Sequence, residues 1–142
     1  MAEKNKNKLL NLPFIALTII LIIYLIIAAI LYIIRPLSIA FFTNKPEIIE
    51  RASSILLLVL FTSIAQPFFE VAKFNLQAVG KEKIALVITG VVNLLIFGVL
   101  IYLKQSSELN LKTILLLLSC NYLVLYLIFT LFYRLEINKI IH

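Results

Sequence analysis

Four stretches of nearly uninterrupted hydrocarbon, at about residues 12–34, 55–74, 84–103 and 113–133, limit this chain more than anything else in it. Each is close to the roughly 20 residues that a helix rising about 1.5 Å per residue needs to cross a hydrocarbon core about 30 Å thick. In lipid, every backbone N–H and C=O must be paired within its own segment, so these runs are expected to be helices despite their β-branched Ile and Val. Hydrophobic residues make up 63% of the chain, charged residues 14%, and the mean hydropathy is +1.09. A soluble domain of 142 residues has too little interior to hide so much Leu, Ile, Val and Phe. The expected fold class is therefore all-α: a single integral membrane domain that crosses the bilayer with four transmembrane helices.

The formal net charge is +6, from 13 Lys and Arg against 7 acids, every acid being Glu. Binding a nucleic acid would require those bases to gather on one soluble face. They stand instead between the apolar runs, where loops meet anionic headgroups. The expected partner is the lipid bilayer, and no nucleic acid. Cys120 is alone within an apolar run, which rules out an intrachain disulfide and a paired-cysteine metal site. The single His, His142, is the last residue and offers no catalytic group. His-Glu-x-x-His, Gly-x-Ser-x-Gly and Walker-type loops are also absent. The expectation is not an enzyme, with no catalytic residue, no metal site and no resident cofactor.

Lys4, Lys6 and Lys8 ahead of the first run resemble the start of a secretory signal. The apolar part is longer than the roughly 7 to 15 residues of a signal core, and no small-residue cleavage pattern follows, so it is expected to remain as the first span. Lys4, Lys6, Lys8, Lys73, Lys81, Lys83, Arg134 and Lys139 fall on one side of the membrane; Arg35, Lys45, Arg51, Lys104 and Lys112 fall on the other. That bias places the amino and carboxyl termini in the cytoplasm of a multi-pass cell-membrane protein. In the first connection, Asn44-Lys45-Pro46-Glu47 has a capping-box pattern that predicts a helix starting near Asn44 and running straight into span two. Gly80 suits the cap of a tight turn between spans two and three.

Span two is the least uniform. Thr62, Gln66, Glu70, Lys73 and Gln77 are spaced by helical steps and form one polar stripe. A charge near the bilayer centre costs at least about 2.5 to 3.5 kcal/mol, so the stripe is expected to face a bundle interior or a water-filled cavity. Glu70 is the one acid within a span and the candidate for cation or proton coupling; Thr62, Gln66, Lys73 and Gln77 are candidate cavity-lining residues. The plainer alternative is an interfacial pair, with Lys73 reaching the headgroups and holding Glu70 one turn away. Pro67 removes a helical hydrogen bond and is a candidate hinge, although membrane helices also carry proline for packing alone. Thr89, Gly90, Ser119, Asn121 and Thr130 fit helix packing. Asn93, one turn from Thr89, is the candidate cavity-lining exception on span three.

Two segments carry a family resemblance. Residues 36–49, containing Phe42-Thr43-Asn44-Lys45-Pro46-Glu47-Ile48-Ile49, and residues 74–83, Phe74-Asn75-Leu76-Gln77-Ala78-Val79-Gly80-Lys81-Glu82-Lys83, are similar to conserved connections of the multidrug and toxic compound extrusion (MATE) family. The chain resembles the last four helices of the second lobe of such a twelve-helix antiporter. The resemblance implies multidrug efflux driven by H⁺ or Na⁺ as coupling ion, with a small organic cation-like substrate. It also implies a fragment or subunit that meets the missing transporter half, or a homo-oligomer. The family's coupling aspartate has no counterpart here, and Glu70 stands only near its place. Two rival expectations stay open: a small four-helix homodimeric transporter, and a non-transporting assembly subunit or inactive truncated product.

Overall fold

The computed structural model describes the backbone of residues 2–141 and the side chains of residues 11–139. The side chains of Lys4, Lys6 and Lys8, and all of His142, lie outside the described residues. The described chain is built of helices: α1 (Ala2–Ile33), α2 (Arg35–Ala40), α3 (Pro46–Ser63), α4 (Ala65–Ala78), α5 (Glu82–Gln105) and α6 (Leu111–Ile141). Four helical lengths are long and apolar enough to cross a membrane: Asn11–Ile33, Pro46–Ala78, Glu82–Gln105 and Leu111–Lys139. The second combines α3 and α4.

Two boundaries differ from the sequence expectation. The capping box at Asn44 does not form. Lys45 is the N-cap with extended backbone (φ −86°, ψ 113°) and no side-chain cap bond, and the helix starts at Pro46. Proline at the first helical position forgoes an N–H that would be unpaired anyway, and this fixes the start. Nor does the helix run straight through span two, because it breaks at Ile64 between α3 and α4.

α4 and α6 form the central pair, with α1 on one flank and α5 on the other. Successive crossings alternate in direction, so α4 and α6 run parallel, and α1 and α5 oppose them. The buried cluster joins Phe69, Ala72 and Leu76 of α4 to Ala85 of α5 and to Leu125, Phe129, Tyr133 and Ile137 of α6. From the end of α3 through α4 the buried face runs Thr62, Ala65, Phe69, Ala72 and Leu76, steps of three and four that keep one side of the crossing turned to α6. Small Ala65 and Ala72 let the backbones approach, which matters in lipid, where packing replaces the hydrophobic drive between helices. The Phe69 ring sits 5.5 Å from Tyr122 and 5.8 Å from Phe129, and Phe68 meets Tyr126 edge-on at 5.5 Å. Such pairs add about 0.5–1.5 kcal/mol each beyond their contact area.

Both hairpin turns close with backbone bonds. At the α4–α5 turn, Lys81 N–H donates to the Leu76 carbonyl at 3.2 Å and Gly80 N–H to Gln77 at 2.8 Å, the two bonds of a Schellman cap. Gly80 holds φ +74°, open to glycine and strained for other residues. At the α5–α6 turn the same bonds run from Glu108 to Leu103 (3.1 Å) and from Ser107 to Lys104 (3.3 Å), with Ser107 at φ 58°. The side-chain oxygen of Asn110 then accepts from Thr113 N–H at 2.9 Å and caps α6. Gly80→Ala is expected to destabilise the folded protein by about 1 kcal/mol and Ser107→Gly to stabilise it by a similar amount. Thermal unfolding in detergent measures both; equal midpoints for Gly80→Ala and the parent would remove the strain argument.

Candidate functional site

The site is built around the α3–α4 break. Pro67 has no N–H to donate to the Ser63 carbonyl, and its ring crowds that carbonyl. The ladder therefore stops at Ser63 and resumes at Ala65, while Ile64 keeps helical angles (φ −60°, ψ −24°). The carbonyl that Pro67 leaves without a backbone donor is that of Ser63, and hydroxyl bonds gather on the carbonyls of the turn before it. Tyr24 of α1 donates its hydroxyl to the Leu60 carbonyl. Buried Thr62 donates to Leu58 and Val59 of its own helix at 2.8 and 3.1 Å.

The polar stripe is placed one residue off the buried face. Thr62 is buried, but its hydroxyl is spent on its own backbone. Gln66 and Gln77 are exposed, and Glu70 and Lys73 are half-buried on the same flank. Glu70 and Lys73 form an i, i+3 ion pair at 2.5 Å, with side-chain exposures of 34% and 27%. The Lys73 ammonium also lies 5.0 Å from the Phe69 ring and 5.3 Å from Phe74, where the ring faces attract a cation. The four-helix core takes up Phe69 and Leu76 and leaves the carboxylate, ammonium and amides at its edge.

Asn93 sits elsewhere. It lines a side-opening groove of about 430 Å³ between α5 and α6, together with Phe69, Thr89, Phe97, Leu118 and Asn121. There Asn121, only 6% exposed, donates its side-chain N–H to the Asn93 side-chain oxygen at 2.9 Å. Asn121 Oδ1 is buried with no partner among the described residues. Asn93 lies about 16 Å along α5 and Asn121 about 15 Å along α6, near mid-crossing and at the level of Phe69, which lines the same groove. Thr89 spends its hydroxyl on the Ala85 carbonyl at 2.8 Å.

Sequence reasoning passed over three polar links. The Tyr24 bond had one signal, a phenol in pure hydrocarbon that needs a partner for its hydroxyl. Asn121 read as packing, and pairing across 28 residues could not be seen from spacing. Glu136 pairs with Lys81 at 3.3 Å and Lys139 at 3.0 Å, fastening the α4–α5 turn to the end of α6. Its Lys139 contact is an ordinary i, i+3 spacing; its Lys81 contact is tertiary.

A helical bundle with four lengths apolar enough to cross a bilayer defines an integral membrane protein. The MatE family model matches residues 1–103, which covers α1 through nearly all of α5 and includes both motif segments. The chain belongs to the MatE family of membrane transporters. No curated protein and no solved structure matches it.

A double-mutant cycle on Asn93 and Asn121, each changed to Leu, is expected to return a coupling of about 0.6 kcal/mol and at most about 2 kcal/mol, typical of interhelical side-chain bonds in membranes. Additive effects of the two changes would mean that the amide bond does not hold α5 to α6.

Proposed function

We propose that the chain serves cation-coupled efflux of small organic cations, with the α3–α4 crossing as its working wall. The family match over residues 1–103 carries this reading. The H⁺ or Na⁺ coupling group is Glu70, the one acid within the apolar run of span two, and Lys73 is its counter-charge in the unloaded state. A proton or Na⁺ arriving at Glu70 competes with Lys73 for the carboxylate. The freed ammonium and the loosened turn before Pro67 give the crossing a second arrangement. Gln66 and Gln77, exposed on the same flank, line the path, while Thr62 is turned into the core and Asn93 lies in the separate groove between α5 and α6. Because this flank borders the four-helix core from outside, the path needs a further wall, from another part of a transporter or from a second copy. Both termini are assigned to the cytoplasm of the cell membrane on the Lys and Arg bias.

The closed ion pair at the edge of the core favours a second reading. Glu70 and Lys73 would anchor the helix near the headgroups, and the chain would be an assembly subunit without transport of its own. Efflux separates the two. In cells depleted of other pumps, dye extrusion conferred by the chain is expected to fall to background in Glu70→Gln, with membrane insertion retained. Unchanged extrusion in that variant would remove Glu70 from coupling and leave the anchoring role.

Orientation is checked independently. In a Cys120→Ser background, Lys81→Cys is expected to resist a membrane-impermeant maleimide in intact cells and to react after permeabilisation. Labelling from outside would reverse the assigned topology.

A further inference from the structure

At the end of the bundle that carries the α4–α5 turn, α1, α4 and α6 leave a crevice of about 100 Å³ between them. Its walls combine two kinds of surface. Phe14 and Leu17 of α1 and Val71 of α4 are apolar, while Asn75, Thr130 and Arg134 bring an amide, a hydroxyl and a guanidinium to the same space. Among the described residues, Arg134 forms no ion pair, and Asn75 and Thr130 form no side-chain hydrogen bond. Arg134 lies 23 residues beyond Leu111, about 35 Å along α6, past a hydrocarbon core about 30 Å thick and so at headgroup level. Pro13, on the opposite wall, stands at the start of the first crossing.

We propose that this crevice is a binding site for the phosphate of an anionic phospholipid. Arg134 takes the phosphate oxygens through its planar fork of donors. Asn75 and Thr130 supply neutral donors beside it. The acyl chains descend along Phe14 and Leu17, and Phe14 is 75% exposed toward the surroundings of the bundle. Size decides against a transported drug, because drug-sized ligands occupy about 300–1,000 Å³. Charge decides for an anionic lipid over a zwitterionic one: among the described residues no carboxylate lines the crevice, and Arg134 brings it a positive charge that no described acid pairs. The site is separate from Glu70 and Lys73, which do not line it.

The test is native mass spectrometry of the full chain in detergent with added phosphatidylglycerol or phosphatidylcholine. The parent is expected to retain phosphatidylglycerol in preference to phosphatidylcholine, and Arg134→Gln to lose about fivefold of that retention, the share of one basic residue at a membrane surface. Lys139→Gln, which changes an exposed charge on the same helix outside the crevice, is expected to retain the lipid as the parent does. Leu17→Trp fills the crevice with Arg134 intact and should also lose the lipid, so it decides the matter if Arg134→Gln fails to insert. Equal retention of the two lipids by the parent, parental retention in Leu17→Trp, or an equal loss in Lys139→Gln would overturn the site. Displacement of the lipid by millimolar inorganic phosphate would overturn its assignment to lipid and leave a free-anion site.

Discussion

Lipid supplies no hydrogen-bond partner to the backbone, and the arrangement of this protein follows from that one constraint. Long helices satisfy it wherever the sequence is uniform. In the turn before the Pro67 break, the hydroxyls of Tyr24 and Thr62 add bonds to the carbonyls of Leu60, Leu58 and Val59. The Tyr24 bond ties α1 to the end of α3, so the turn beside the break in the second crossing is also a point where two crossings are joined. A loosened helix held by a neighbour can change its local geometry without exposing bare backbone to hydrocarbon.

Packing and polarity are divided between the two ends of the bundle. Toward the α4–α5 turn, Leu76, Phe129 and Ile137 close a dense cluster, and the pairing of Glu136 with Lys81 and Lys139 fastens its rim. Toward mid-crossing the helices part, and the groove between α5 and α6 holds the Asn93–Asn121 bond. The rigid end fixes the register of α4 on α6, while the looser half carries the proline break and the amides.

How much of this was legible in the sequence can be argued from particular residues. The crossings were, because hydrocarbon length against bilayer thickness admits one solution. The α4–α5 turn was, because Gly80 occupies an angle that other residues resist. The stripe of Gln66, Glu70, Lys73 and Gln77 was legible as a stripe, since helical periodicity places its members together whatever surrounds them. Its direction was not. Helix α4 turns toward α6 along the neighbouring line of Ala65, Phe69, Ala72 and Leu76, and the choice rests on how Phe69 fits between Tyr122 and Phe129.

The sequence by itself determined that the chain spans a membrane four times, where it turns, and which span holds charge, because these follow from local length, hydropathy and backbone angle. The tertiary structure alone decided what each polar group meets: that Glu70 rests on Lys73 at the edge of the core, that Asn121 reaches Asn93, that Lys81 finds Glu136, and that Arg134 opens on a crevice with no carboxylate among the described residues of its wall. The physical reason is one of range. Backbone conformation is chosen within a few residues, whereas a polar side chain in hydrocarbon is settled by whichever distant helix packing brings within about 3 Å.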